Sequence, residues 1–189
     1  MEMLSGEKIK KKLSEPNTLT MGRVAAIPLI VILLYFPNRI CTFLAALVFS
    51  AAAITDYLDG YLARTRGLES TFGKIMDPVA DKLLVSSSFI MMVYHGWVPA
   101  WVVFIIIGRE LAVTGLRNII AGKGEDVSAS WLGKYKTGFQ ISALIPLIMH
   151  YRFIGIDVQV VGMFFLWGAL IFTLWSGADY FLKARHLLQ

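Results

Sequence analysis

Residues 56–81 read Asp56-Tyr57-Leu58-Asp59-Gly60-Tyr61-Leu62-Ala63-Arg64, then Thr65-Arg66-Gly67-Leu68-Glu69-Ser70-Thr71-Phe72, then Gly73-Lys74-Ile75-Met76-Asp77-Pro78-Val79-Ala80-Asp81. The four aspartates stand between apolar flanks, with Ala51-Ala52-Ala53-Ile54 before them and Leu83-Leu84-Val85 after. At roughly 100° per residue, Asp56, Asp59, Gly60 and Ala63 share one arc of a helix, while Gly73, Asp77 and Asp81 share one arc of the next. A turn near Gly67 folds two such helices antiparallel. Asp59 then lies about 12 Å from the turn and Asp77 about 15 Å, so the two acidic faces meet at a common depth.

The surrounding composition sets the solvent. Of the 189 residues, 57% are hydrophobic and only 16% charged, and the mean hydropathy is +0.64. A soluble domain of this length cannot bury so much apolar surface, so lipid is the expected surroundings for most of the chain. Apolar segments at roughly 19–36, 40–62, 75–94, 97–120, 134–151 and 158–181 each approach the ~20 residues a helix needs to cross a bilayer. Breaks fall at Pro37-Asn38-Arg39, at 65–70, at His95-Gly96, at 122–130 and at 152–157. The expected fold is an all-α membrane protein, one domain over 1–189 with six transmembrane helices. Thr18 or Thr20 is the expected cap of the first helix, after Pro16-Asn17 breaks the pattern.

Residues 1–15 set Lys8, Lys10, Lys11 and Lys12 beside Leu4, Ile9 and Leu13. That suits a short amphipathic helix lying on an anionic membrane surface, and a tail without fixed structure has the same composition. No small-residue cleavage site follows, so the first span reads as uncleaved. With the N-terminus in the cytoplasm, only Arg39 and Arg152 of the 18 Lys and Arg lie outside, as retention of basic residues requires. Both termini are then cytoplasmic, with the acidic cluster near the inner face of what reads as a bacterial cytoplasmic membrane. Trp97 and Trp101 fit an outer interfacial belt.

Charge and cysteine content narrow the chemistry. The net charge of +5 comes with no basic stripe interleaved with aromatics along a soluble region, which argues against nucleic acid. The lone Cys41 cannot form an internal disulfide. His95, His150 and His186 fall on both membrane sides, which argues against a histidine metal site. Four ionised carboxylates at one depth in a membrane cost several kcal/mol each unless cations or protons neutralise them. Hard divalent ions suit an all-oxygen site, and two Mg²⁺ or Mn²⁺ balance four aspartates charge for charge. A metal pair about 4 Å apart also serves displacement at phosphorus, stabilising both attacking and leaving oxygens. Solvated helix-end carboxylates paired with Lys74 or Lys82 are the alternative.

The string Asp56-x2-Asp59-Gly60-x2-Ala63-Arg64-x8-Gly73-x3-Asp77-x3-Asp81 resembles the signature of the CDP-alcohol phosphotransferase family, with every fixed position and gap present. The six-span pattern and N-terminal segment are similar to that family too. The resemblance implies that Asp56, Asp59, Asp77 and Asp81 hold two Mg²⁺ or Mn²⁺ ions, with Asp81 also acting as general base. It implies that Gly60, Ala63, Arg64 and Gly73 receive the CDP group of CDP-diacylglycerol, with Asn17 reaching the diphosphate or capping a helix. A homodimer embedded in membrane lipids is implied as well.

The acceptor alcohol is read from the basic residues of later spans. Arg109 lies about 16 Å from the cytoplasmic end of its span, where an unpaired guanidinium is expensive. Its neighbour Glu110 points about 100° away along the helix and is a poor partner. A phosphate on the acceptor would satisfy Arg109, with Arg117 and Lys134 as further cations and Lys136 beside them. The stretches Gly108-Arg109-Glu110-Leu111-Ala112-Val113-Thr114-Gly115-Leu116-Arg117 and Gly133-Lys134-Tyr135-Lys136-Thr137 resemble the branch of the family that takes glycerol 3-phosphate. A sister transferase using inositol phosphate, serine or phosphatidylglycerol is one alternative. A divalent-cation transporter is another, since intramembrane aspartates also mark ion pathways.

Overall fold

The structure, a computed structural model, describes the backbone of residues 16–66, 71–122, 131–152 and 155–188, and side chains at 21–55, 76–122, 131–152 and 155–185. Within these residues the chain forms six helices: α1 Pro16–Tyr35, α2 Arg39–Arg66, α3 Thr71–Tyr94, α4 Ala100–Gly122, α5 Trp131–Met149 and α6 Val158–Leu188. The expected interfacial segment 1–15 and the turn at Gly67 lie outside the described residues.

Local chemistry accounts for the helix ends. Asn38 caps α2, its Oδ1 accepting from the backbone N–H groups of Ile40 at 3.1 Å and Cys41 at 2.9 Å, which satisfies two of the first-turn donors that have no intrahelical partner. Asp157 does the same for α6, accepting from the N–H of Gln159 at 3.1 Å. α3 closes on Gly96, whose φ of 71° permits a pair of reversed bonds: Gly96 N–H donates to Val93 O and Trp97 N–H to Met92 O, both at 2.9 Å. This is the double closure that a left-handed glycine makes possible. α5 ends on His150, which takes the same left-handed role with φ 56° and donates its N–H to Pro146 O at 3.1 Å.

One boundary differs from expectation. α1 begins at Pro16, so Thr18 and Thr20 lie inside the helix and do not cap it. Proline is pre-set for the first helical position, because its fixed φ is helical and its missing N–H has no intrahelical partner to lose. α3 likewise starts at Thr71, taking Gly73 into the helix.

The chain divides into two compact units, Met1–Ser88 and Phe89–Gln189. In the first, α1 packs along α2. In the second, α6 is the central element and packs against both α5 and α4. Two glycines set the close approach of α6 to α5: a Cβ at Gly162 would lie 2.6 Å from Leu147 Cγ, and one at Gly168 would lie 2.5 Å from Phe139 Cδ1. Small residues at such crossings let membrane helices approach closely. Gly168→Ala is therefore expected to overpack the α5–α6 contact and destabilise it by about 1–3 kcal/mol, measured as a lowered unfolding midpoint in detergent. An unchanged midpoint would count against this packing.

Val158–Arg185 is long and apolar enough to cross a membrane, and Met21–Tyr35 and Arg39–Thr55 are shorter apolar helices. Charged residues interrupt the others: Asp77, Asp81 and Lys82 in α3, and Arg109, Glu110 and Arg117 in α4. Large side chains such as Phe104, Phe164, Trp131 and Leu182 are exposed.

Candidate active site

The first unit places one half of the acidic cluster. Asp77 and Asp81 stand one turn apart on α3, on one face, and both are half-buried. The backbone carrying Asp56 and Asp59 is helical, at the C-terminal part of α2. The side chains of Asp56, Asp59, Gly60, Ala63, Arg64, Gly73 and Asn17 lie outside the described residues.

A residue the sequence reading did not single out enters here. Arg23, on α1, is 2% exposed at its side chain and donates from Nη2 to Asp77 Oδ1 at 2.9 Å, while the Asp77 side chain is 42% exposed. A buried guanidinium requires an anion, and the acidic face of α3 supplies one. Arg23 sits at the polar edge of an apolar run, where it reads as an ordinary flanking cation; its partner lies 54 residues away in the chain. Arg23→Ala is expected to cost about 1–3 kcal/mol by stripping Asp77 of this bond. The loss should appear as a lower thermal midpoint in detergent, and Arg23→Lys should restore part of it.

Asp77 and Asp81 offer only hard oxygen donors at helical spacing, with Asp77 partly open to solvent. That donor chemistry fits Mg²⁺ or Mn²⁺. Among the described residues no three His, Cys, Asp or Glu side chains gather closely enough to hold an ion; Asp56 and Asp59 are not in that set.

The second unit brings together a partly buried basic network. Lys136 on α5 is buried and pairs directly with Glu110 on α4. Arg109 lies 3.6 Å from the same carboxylate, longer than a hydrogen bond, and donates from Nη2 to Ser176 Oγ on α6 at 3.0 Å. Ser176 in turn donates to Phe172 O at 2.6 Å. Adjacent helical positions point apart, so Glu110 makes its direct bond to Lys136 on the neighbouring helix and keeps Arg109 at the longer ion-pair distance.

Gly177 allows this arrangement, since a Cβ there would lie 3.2 Å from Arg109 Cγ. Arg117 lies over the Tyr180 ring, 5.7 Å from its centroid, and both are close enough to Arg109 to act on it electrostatically. Tyr180 packs with Val113, Leu116, Ile120 and Ala184. Two cations, Lys136 and Arg109, thus lie within ion-pair distance of the Glu110 carboxylate. Arg109 Nε, Tyr180 Oη, Thr173 Oγ1 and Gln140 Nε2 are buried polar atoms with no hydrogen-bond partner among the described residues.

Of the three cations expected at the acceptor phosphate, Arg117 acts on Arg109 electrostatically, whereas Lys134 turns to an aromatic ring. Two positions along a helix is about 200° of rotation. Lys136 faces Glu110, and Lys134 lies over the Trp131 ring, 4.9 Å from its centroid. Trp97 and Trp101 also have defined partners. Trp97 is stacked between His95 at 4.8 Å and His150 at 4.0 Å, and Trp101 meets Trp167 at 5.8 Å.

Comparison with known proteins follows the same pattern. The chain is 41% identical over 190 residues to a Bacillus subtilis (strain 168) protein named CDP-diacylglycerol--glycerol-3-phosphate 3-phosphatidyltransferase, covering 92% of this chain and 96% of the relative. A Rickettsia typhi protein of the same name is 41% identical over 88% of this chain and 94% of its own length. A Shigella flexneri protein of that name is 39% identical over 90% and 94%. The profile of CDP-alcohol phosphatidyltransferases matches residues 13–175, a stretch that holds all four aspartates together with Arg109, Glu110, Arg117 and Lys136, and this chain belongs to that family.

Proposed function

We propose that this chain transfers the phosphatidyl group of CDP-diacylglycerol to glycerol 3-phosphate, giving phosphatidylglycerophosphate and CMP in phospholipid synthesis. The observation that carries the choice of acceptor is the partly buried pairing of Arg109 and Lys136 with the single carboxylate of Glu110, with Arg117 over the Tyr180 ring beside it. Two cations on one carboxylate leave an excess of positive charge, to which Arg117 adds through its electrostatic action on Arg109, and this suits the phosphate of a phosphorylated alcohol. The relatives' names agree with this reading.

In the reaction, a hydroxyl oxygen of glycerol 3-phosphate attacks the lipid-side phosphorus of the diphosphate. A new P–O bond forms there, the P–O bond to CMP breaks, and Asp81 accepts the hydroxyl proton. Asp56, Asp59, Asp77 and Asp81 would hold two Mg²⁺ or Mn²⁺ ions, which supply charge neutralisation at the attacking and leaving oxygens when bound. Gly60, Ala63 and Gly73 leave room for the nucleotide, and Arg64 and Asn17 pair with its phosphates. Arg23 holds the Asp77 carboxylate in position from α1. Much of the catalysis of phosphoryl transfer is positioning of this kind together with electrostatic stabilisation.

The chain works as a six-span membrane protein with both termini and the acidic cluster on the cytoplasmic side, as a homodimer in membrane lipid. The exposure of residues such as Phe104 and Phe164 supports lipid as the solvent of the helices. The deciding experiment incubates purified protein with CDP-diacylglycerol, Mg²⁺ or Mn²⁺ and one candidate alcohol at a time. CMP release is expected with glycerol 3-phosphate and is expected to stop when the metal is chelated. Release with inositol phosphate or serine in its place would overturn the acceptor assignment.

A further inference from the structure

The second unit contains a groove whose lining includes none of Arg109, Glu110, Arg117 or Lys136. It is a cavity of about 360 Å³ along α5 and α6, within the size range of small-molecule sites. Trp131, Tyr135, Phe139 and Phe165 make its walls mainly apolar, and Lys134 supplies the charge at one end. Gly138 lines the middle, and a Cβ placed there would meet nothing within 4 Å. Lys134 lies over the Trp131 ring, and among the described residues it pairs with no carboxylate. It is about 200° around α5 from Lys136, which is committed to Glu110.

We propose that this groove binds a phospholipid of the surrounding membrane, one acyl chain lying along Gly138, Phe139 and Phe165 and a singly charged phosphodiester at Lys134. The head alcohol is uncharged, as in phosphatidylglycerol. A groove walled by Trp131, Tyr135, Phe139 and Phe165 calls for a hydrocarbon chain, which free phosphate lacks. A single ammonium matches a monoanionic phosphodiester; the diphosphate of a CDP-lipid would leave charge unmatched, and a choline head would bring a second cation beside Lys134. The proposal rests on the membrane reading of the chain and not on the identity of the acceptor alcohol.

The test reconstitutes the full chain in phosphatidylcholine vesicles containing brominated-acyl phosphatidylglycerol or brominated-acyl phosphatidylcholine. Quenching at Trp131 is read as the difference between the wild type and Trp131→Phe. One lysine near a membrane contributes roughly 1 kcal/mol to attraction of an anionic lipid, so half-quenching is expected at an about fivefold lower mole fraction of phosphatidylglycerol. Lys134→Ala should abolish that preference, whereas Lys183→Ala, which removes a surface cation paired with Asp179, should leave it intact. Gly138→Leu should fill the groove and reduce quenching by both lipids.

Equal quenching of the wild type by the two lipids, or an unchanged preference in Lys134→Ala, would overturn the proposal. Absence of quenching because a second copy of the chain covers the groove would do so too. Displacement of the brominated lipid by CDP-diacylglycerol more readily than by unlabelled phosphatidylglycerol would assign the groove to the substrate, and also overturn it. None of these readouts uses turnover, so a failure here is separable from a failure of the transfer reaction.

Discussion

Asp81→Asn is expected to lower CMP release by about 10²–10⁴-fold, the range a positioned general base contributes, while retaining most of the metal affinity. The substitution keeps the size of the side chain and one oxygen donor, but the amide cannot accept a proton at neutral pH. Asp81 is half-buried one turn beyond Asp77 on the same helix, so a change there leaves Asp77 in place to bind. Arg23, which touches Asp77, stays where it is. Isothermal titration with Mn²⁺ and a CMP-release assay on the same preparation separate the two effects. Undiminished release would remove Asp81 from the role of base. Equal loss of metal binding and turnover would make it a ligand only.

The second large effect is expected at Arg109. Arg109→Ala should reduce kcat/KM for glycerol 3-phosphate by about 100-fold, equivalent to about 2.7 kcal/mol, with the loss carried mainly by KM for that substrate. KM for CDP-diacylglycerol should move little. The guanidinium is held by Ser176 on α6 and flanked by Arg117 and Tyr180, and its Nε has no partner among the described residues. A phosphate would complete its bonding.

Arg109→Lys should recover only part of the loss, because a point charge cannot reproduce a planar fork that reaches both Ser176 and a phosphate. Truncation also leaves Lys136 and Glu110 paired, so the helices should keep their packing. A steady-state titration of each substrate in turn checks this. Equal rises in both KM values would point to a general loss of structure and not to an acceptor site.

The helices are legible in the sequence through the spacing of apolar runs and their interruptions. Asn38 and Gly96 were visible as breaks because capping and left-handed turns demand those residue types. Pro16 misled, since proline signals both the end of one pattern and the first turn of the next helix. Arg109 was legible as a problem of burial, because a guanidinium that far into an apolar segment must have an anion. Its actual contact with Ser176, 67 residues away, was not. Lys134 and Lys136 looked equivalent in the sequence, and rotation about the helix axis separates them: one faces Glu110 and the other the Trp131 ring.

The residues alone determined that this chain is helical and apolar, with aspartates at helical intervals, because periodicity and composition are properties of the local chain. Only the tertiary structure decided which cation meets which anion. Arg23 meets Asp77, and Lys136 meets Glu110, across distances in sequence that no local pattern encodes. Those pairings follow from which helix faces pack together, where burial makes an unmatched charge too costly to persist.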